Sequence, residues 1–192
     1  FGHIHRAMIL PNSLTPWDIN PQPGWARRAL IIGAGLAGAH AAHALAIRGV
    51  EVTVLEAGSA ASGGSGNLQG VTYTRLSHQH NPLTDFSVAA LGFAADCYQS
   101  MATAGELTAG EDYGAGGYIQ LHDNDETLEY LSQTLQLAPG FARVMRVEDI
   151  AELTGITPRC GGIHYQRGGW LNPAAVCRAL LSHPRIILEE QC

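Results

Sequence analysis

The chain has 192 residues, of which 46% are hydrophobic, and carries a formal net charge of −6 at pH 7. That length and composition predict one sizeable core, or one domain with part of a second. The acidic balance argues against a nucleic-acid-binding module, because such modules carry clustered lysine and arginine. No membrane span is predicted either. The longest apolar run, residues 29–39, contains three glycines and falls short of the roughly 20 residues that a bilayer requires.

The cysteines and the ends of the chain set further expectations. Cys97, Cys160, Cys177 and Cys192 show no CxxC spacing, so neither a zinc site nor a redox pair is predicted, and no metal ligands are assigned. Without a signal peptide, reduced thiols and a cytoplasmic location are expected. Residues 1–27 are rich in proline and lack periodicity, which predicts a linker from an upstream domain. The start without methionine and the stop after a strand-like run indicate a piece of a larger protein.

The most informative stretch is residues 28–57. An apolar run leads into Gly33-x-Gly35-x-x-Gly38, a small-residue helix follows, and a second strand-like run ends at Glu56. This order of strand, glycine turn, helix, strand and acid is typical of a dinucleotide-binding βαβ unit. The alternative is a βαβ unit without a ligand.

Each part of that stretch has a physical role in dinucleotide binding. Gly33 permits the tight turn, Gly35 lets the backbone approach a pyrophosphate, and Gly38 lets the helix lie close to the sheet. The helix N-terminus favours the negative charge of the pyrophosphate. Glu56 can accept hydrogen bonds from a ribose hydroxyl and would repel a 2′-phosphate. The predicted cofactor-binding residues of the stretch are Gly33, Ala34, Gly35, Leu36, Ala37, Gly38, Glu56 and Ala57.

A glycine- and serine-rich segment, residues 58–70, follows directly on Glu56. Such a composition also suits a flexible linker. Its position favours a ligand-facing loop, because ligands of open α/β sheets bind beyond the carboxyl ends of the strands. Small polar groups and exposed backbone amides suit a phosphate or a ring. The predicted ligand contacts in this loop are Ser65, Gly66, Asn67 and Gln69.

The rest of the chain alternates helices and strands. Periodicity and capping signals predict helices over residues 83–104, 123–137, 147–154 and 173–181, the second capped by Asp123 or Asn124 and the last by Asn172. Strands are predicted over residues 71–76, 118–121, 163–165, 170–171 and 185–188. Alternation that begins with a βαβ unit predicts an α/β fold with a parallel sheet. Residues 71–171 are expected to build a second layer inserted between strands of the first.

Three motifs together carry a family resemblance: GAGLAG with Glu56, then SGNLQG, then CGGIHYQRGGWLNP. In this order they resemble the FAD-dependent oxidoreductase domain of the bifunctional tRNA wobble-uridine modification enzymes, and more loosely the D-amino-acid oxidase and glycine oxidase superfamily. The resemblance extends from residue 28 to about residue 188. It implies a Rossmann-like FAD-binding domain at residues 28–77, resumed and truncated at 172–192. Residues 78–171 would then be part of a sheet-containing substrate domain. Residues 62–64, 74 and 75 depart from the family pattern.

The resemblance also implies a reaction. In that family FAD oxidises the carboxymethylaminomethyl group of the wobble uridine, which gives 5-aminomethyluridine and glyoxylate. It implies tRNA as partner and an upstream methyltransferase domain that uses S-adenosylmethionine. No catalytic base is predicted from this sequence, so the catalytic residues stay unknown. The alternatives are an FAD-dependent glycine or D-amino-acid oxidase acting on a free amine, a nicotinamide-dependent dehydrogenase, and a non-catalytic dinucleotide-binding fragment.

Three residues are candidates for substrate contact. Arg75 and Arg167 each offer a planar fork that suits a carboxylate or a phosphate, although solvated or structural roles are the simpler interpretation. Trp170 either lines the substrate cavity or packs in the core.

Overall fold

Fourteen elements follow one another in the computed structural model, which describes residues 27–74, 82–135 and 140–192. The strands are β1 (Arg28–Ile32), β2 (Glu51–Glu56), β3 (Gly70–Thr72), β4 (Tyr113–Gly114), β5 (Tyr118–Leu121), β6 (Ala142–Met145), β7 (Gly162–Tyr165), β8 (Gly169–Leu171) and β9 (Ile186–Glu190). The helices are α1 (Leu36–Ala46), α2 (Pro82–Thr103), α3 (Asp125–Leu135), α4 (Val147–Thr154) and α5 (Pro173–Leu181).

A parallel sheet carries the glycine-rich stretch. Its order is β1-β2-β9, with β2 in the centre. The alternation along β2 buries Val52 and Val54 on one face of this sheet. Helices α1 and α5 belong to the same core, where Ala39 and Ala42 are fully buried, and their small size lets α1 lie close to the strands. The predicted parallel sheet and α/β class are confirmed.

The other face of this sheet is apolar and exposed in the described part of the chain. Leu30 and Ile32 of β1 are 62% and 85% exposed, and Ile187 of β9 is 61% exposed. These side chains alternate with the residues that contact the helices, so they point away from α1 and α5. The helices therefore cover one side of the sheet.

The start of α5 follows from its capping sequence. The Asn172 side-chain oxygen accepts hydrogen bonds from the backbone N–H groups of Ala174 and Ala175, at 3.1 and 3.2 Å. Pro173 lies at the first helical turn, where no intrahelical N–H is needed. The predicted cap is confirmed. After α5 the chain returns to the sheet as β9, which extends two residues past the predicted strand, to Glu190.

Two smaller antiparallel sheets complete the fold, with orders β3-β8-β4 and β5-β7-β6. Helix α3 packs on the second, where Leu128 and Leu131 share a core with Ile163 and Tyr165. The sequence predicted β5, β7 and β8, but it gave no sign of β4 or β6. The strand predicted over residues 71–76 is β3, which begins at Gly70 and ends at Thr72; residues 75 and 76 lie outside the described residues.

The predicted helices agree with α2 and α4 to within one residue at each end, and α3 begins two residues after its predicted start. Residues 136–137, the predicted end of α3, lie outside the described residues. The cap of α3 is Asn124, whose side-chain oxygen accepts the N–H of Thr127 at 2.9 Å. Helix α2 buries Tyr98 and Met101 in the same core as α1 and α5, so this core crosses the predicted boundary between residues 77 and 78. The domain boundaries stay a prediction. Of the predicted linker, residues 1–26 lie outside the described residues.

Two further properties bear on the chemistry of the chain. The four cysteines are free thiols. Burial raises the pKa of the Cys97 and Cys177 thiols, which keeps them protonated near neutral pH. In the described ranges no helix combines the length and the apolar character that crossing a bilayer requires.

Candidate cofactor site

The glycine turn joins β1 to α1. Gly33 has φ +97°, a conformation that favours glycine, and its N–H donates to the Leu55 carbonyl at 2.7 Å. A β-carbon at Gly38 would overlap the Gly33 carbonyl oxygen, so the first turn of α1 lies directly against the loop. A β-carbon built on Gly33 meets no atom within 4 Å. The turn is therefore packed closely against α1 at Gly38 and has open space beside Gly33.

Glu56 lies at the carboxyl end of β2 and fixes the turn. One carboxylate oxygen accepts the N–H of Ala34 at 2.7 Å, and the other accepts the N–H of Gly58 at 3.0 Å. These two backbone hydrogen bonds, the Ala34 bond above all, hold the pKa of Glu56 below its ordinary value. The side chain is therefore an anion at neutral pH. Each carboxylate oxygen has a second lone-pair site, so a ribose hydroxyl can still donate to it.

Ser65 brings the glycine- and serine-rich loop to the N-terminus of α1. Its hydroxyl oxygen accepts the N–H of Leu36 at 3.0 Å. A β-carbon on Gly35 would lie 3.0 Å from the same oxygen, so glycine is what allows this approach. The first N–H groups of a helix have no intrahelical acceptor, and their dipole attracts an anion. The loop hydroxyl and the helix amides therefore meet at the point where the sequence predicts the pyrophosphate.

The end of β9 forms a third part of the site that the sequence interpretation missed. The Glu190 carboxylate accepts the N–H of Ala60 at 2.6 Å, and the N–H of Gln191 donates to the Gly58 carbonyl at 3.1 Å. Glu190 could have been placed at this site from the sequence only if residues 186–190 had been known to pair with β2. The carboxyl ends of parallel strands share one edge of a sheet, so that pairing puts Glu190 beside Glu56.

The same edge holds the two non-glycine residues with positive φ in the described ranges. Ala61 has φ +62° and Gln191 has φ +59°. Ala61 is buried, and its N–H donates to the Ala34 carbonyl at 3.1 Å. Such conformations persist only where the surrounding contacts hold them, and they concentrate at binding sites. For Ala61 that contact is its hydrogen bond to Ala34, which joins the loop to the glycine turn.

The other predicted loop residues lie further out. The Asn67 amide donates to the Gly64 carbonyl at 3.4 Å, and the Gly66 N–H donates to Gly63 at 2.9 Å. Gln69 and Ala57 are exposed. Their roles toward a cofactor stay predictions, as does that of Ala37, which is exposed on the first turn of α1.

The three candidate substrate residues are not gathered in one site. Arg75 lies outside the described residues. Arg167 forms an ion pair with Asp96 of α2 and donates to the Gly92 carbonyl at 3.4 Å, so its fork already has partners. Trp170 is half-buried, and its indole lies over Gly114, where a β-carbon would overlap the ring. Substrate contact by these residues stays a prediction.

A second polar contact joins α1 to α2 away from the glycine turn. The His40 ring nitrogen and the Tyr98 hydroxyl are 3.1 Å apart. Burial raises the pKa of Tyr98 to about 12, so the phenol stays protonated at neutral pH. Burial, and then the nearby His43, lowers the pKa of His40. The pair is thus neutral at neutral pH, as expected for a contact that holds two helices together.

A tight glycine turn, an acid at the end of the second strand and a hydroxyl-bearing loop at the helix N-terminus define a dinucleotide-binding α/β protein. Residues 28–185 match the family described as FAD dependent oxidoreductase, DAO. The chain belongs to this family.

Curated relatives carry a more specific name. The chain is 42% identical over 164 residues to the tRNA 5-methylaminomethyl-2-thiouridine biosynthesis bifunctional protein MnmC of Saccharophagus degradans, covering 83% of this chain and 23% of the relative. It is 38% identical over 178 residues to the protein of the same name from Chromobacterium violaceum, covering 91% and 26%. The chain thus spans about a quarter of the length of these relatives.

Solved structures agree on the fold. Glycine oxidase from Geobacillus kaustophilus superposes with a TM-score of 0.65 at 18% identity, covering 86% of this chain and 47% of that one. L-proline dehydrogenase from P. horikoshii gives a TM-score of 0.63 at 19% identity, covering 86% and 44%. Family membership assigns FAD as the cofactor, which overrules the nicotinamide alternative.

Proposed function

We propose that this chain supplies the adenosine diphosphate-binding half of an FAD site. Support comes from the open glycine turn, the Ser65 hydroxyl at the N-terminus of α1 and the free lone pairs of Glu56. In this arrangement the α1 amides bind the pyrophosphate and Glu56 accepts hydrogen bonds from the ribose. The observation that carries the proposal is the Glu56 carboxylate, which holds the turn and the loop at once.

We propose the reaction that the family resemblance implies. When bound, FAD supplies hydride acceptance from the carbon next to an amine nitrogen. The substrate would be 5-carboxymethylaminomethyl(-2-thio)uridine at the tRNA wobble position, and the products 5-aminomethyluridine and glyoxylate. The names of the relatives support a modification of tRNA uridine by a bifunctional protein. We also propose a methyltransferase domain in the whole protein and a cytoplasmic location. The residues described here bind and orient the cofactor, while the reacting groups are not assigned.

The test uses the full-length protein that contains this chain. We expect glyoxylate release and anaerobic bleaching of the flavin absorbance with tRNA that carries the carboxymethylaminomethyl group. The control is the same tRNA without that modification, which should leave the flavin oxidised. Bleaching by glycine with no response to the modified tRNA would contradict the tRNA reaction and leave the FAD site standing.

A second candidate is an oxidase of a free amine such as glycine. The observation in its favour is the net charge of −6, since a tRNA-binding surface normally carries excess lysine and arginine. The experiment above separates the two candidates, because they differ in which substrate reduces the flavin. Salt provides a second contrast: turnover of tRNA should fall steeply as salt is raised, whereas turnover of glycine should not.

A further inference from the structure

We propose that Glu190 is a positioning residue for the adenosine end of the cofactor site. The inference rests on the proposed function. Glu190 is the last residue of β9 and stands beside Glu56 in the parallel register of β2 and β9. Glu56 faces the glycine turn, whereas Glu190 faces the loop that follows it. Glu56 therefore binds the glycine turn, and Glu190 binds the following loop, at the same edge of the parallel sheet.

The contacts of Glu190 lead from β9 to the glycine turn. Its carboxylate accepts the N–H of Ala60 at 2.6 Å. The next residue, Ala61, is held at φ +62° and donates its N–H to the Ala34 carbonyl at 3.1 Å. Ala34 in turn donates its own N–H to Glu56. Glu190 therefore acts on the cofactor through the loop and the turn, without touching the cofactor itself.

The backbone around Glu190 fixes the direction of its side chain. Beyond the strand, the N–H of Gln191 donates to the Gly58 backbone carbonyl at 3.1 Å, and the N–H of Cys192 donates to the Glu56 backbone carbonyl at 3.3 Å. These bonds continue the contact between β9 and the end of β2. The side chain is thereby kept over Ala60, where an oxygen acceptor restrains a loop segment that contains a strained residue.

The hydrogen-bond acceptor, and not the negative charge, is what this position requires. Like charges on neighbouring strands repel, so the charge of Glu190 beside Glu56 is unfavourable in itself. An oxygen acceptor of the same length without the charge should therefore serve. Glu190→Gln keeps such an oxygen, and Glu190→Met keeps the length of the side chain but removes the acceptor.

The test measures the affinity of the full-length apoprotein for FAD and, separately, for ADP. We expect Glu190→Met to weaken both by about tenfold, the upper part of the range for the loss of one hydrogen bond. Glu190→Gln should stay within about threefold of the unchanged protein. Glu189→Met is the matched control, because it removes an exposed carboxylate from the same strand away from Ala60. It should leave both affinities unchanged.

The outcomes separate this inference from the function on which it rests. If the unchanged protein binds neither FAD nor ADP, the proposed cofactor site is wrong. If it binds both and Glu190→Met behaves as Glu189→Met does, Glu190 is not a positioning residue. A loss in Glu190→Gln as large as in Glu190→Met also overturns the inference. Because the bond to Ala60 is exposed, its loss in Glu190→Met should lower the unfolding midpoint of the apoprotein only slightly. A large drop in that midpoint with both affinities unchanged would show a merely structural role.

Discussion

Two regions of the molecule are stabilised by different interactions. One is the edge of the parallel sheet at the carboxyl ends of β2 and β9, called the cofactor edge, and the other is the antiparallel sheet β5-β7-β6. At the cofactor edge, backbone N–H groups donate to Glu56, Ser65 and Glu190. In the antiparallel sheet, Tyr118 stacks on Tyr165 with ring centroids 4.6 Å apart, and α3 covers the same core. Removal of one of these acceptor side chains at the cofactor edge should therefore weaken cofactor binding, whereas changes in the antiparallel sheet should lower stability and leave binding unchanged.

One contact gives the second region a polar anchor. The Tyr118 hydroxyl accepts the N–H of Thr74 at 2.8 Å and donates to the Thr74 carbonyl at 2.7 Å. Thr74 is 2% exposed, so water cannot easily replace either bond. Burial raises the pKa of Tyr118, which keeps the hydroxyl protonated and able to donate.

The largest effect is expected at the glycine turn. Gly38→Ala places a methyl group against the Gly33 carbonyl oxygen, and backbone on both sides must move apart. We expect the free energy of unfolding to fall by about 3 kcal/mol, the upper part of the range for overpacking. Urea denaturation followed by circular dichroism measures this. Gly63→Ala is the control, because a β-carbon there meets nothing within 4 Å. Equal stability of the two variants would contradict the close approach of α1.

The next effect separates the two regions. Tyr118→Phe removes both bonds to Thr74 and leaves buried backbone groups unpaired, so we expect a loss of about 2 kcal/mol in the free energy of unfolding. FAD affinity should not change. Tyr73→Phe is the control: Tyr73 is 58% exposed and meets Tyr118 edge to face. A drop in FAD affinity for Tyr118→Phe at unchanged stability would contradict the claim that the antiparallel sheet contributes to stability and not to binding.

A smaller effect is expected at Glu56, the acidic residue at the end of β2. Glu56→Gln replaces a carboxylate that accepts two N–H groups by an amide with one oxygen, so one of those bonds is lost. We expect FAD affinity to fall about tenfold, measured by quenching of flavin fluorescence. Glu189→Gln, which makes the same exchange at an exposed carboxylate of the neighbouring strand, is a control that should bind FAD normally.

The same carboxylate should show a pH dependence of known sign. The pKa of Glu56 is lowered in the folded chain from an ordinary value of 4.5. Its contribution to stability is therefore complete above pH 4.5 and disappears as the pH falls through the lowered pKa. The difference in unfolding midpoint between the unchanged protein and Glu56→Gln should narrow over that acid range. A difference that persists unchanged at lower pH would contradict the two hydrogen bonds.

The smallest effect is expected at the helix contact between α1 and α2. Because the pKa of His40 is lowered in the folded chain, the unfolded chain binds more protons below pH 6.5. Stability should therefore decline as the pH falls below 6.5, and His40→Gln should reduce that decline. Urea midpoints at pH 7.5 and 5.5 measure the difference. An equal decline in both proteins would show that His40 is not the titrating group.

The glycine turn was predictable because its residues report a local backbone requirement. Gly33 needs positive φ and Gly38 needs the absence of a side chain, and both needs appear in the sequence at fixed spacing from β1. Asn172 was predictable for a similar reason, since its cap involves residues two and three positions away.

Contacts between distant segments could not be predicted in the same way. Glu190 reaches Ala60 across 130 positions, and Arg167 meets Asp96 across 71 positions. The acid or arginine is visible in the sequence, but its partner depends on which strands and helices become neighbours. Strand β4 was missed because its two residues carry no alternation. Strand β6 has four residues, as β5 and β7 do, and it was missed because its pairing with β7 is not visible in the local sequence.

The claim that this chain binds the adenosine diphosphate end of FAD has one direct test. The affinities of the full-length apoprotein for FAD and for ADP are measured with and without Glu56→Gln. Because Glu56 is assigned to the ribose and the turn, the substitution should weaken FAD and ADP by the same factor. Weakened binding of FAD with unchanged binding of ADP would place Glu56 away from the adenosine end and would contradict the account.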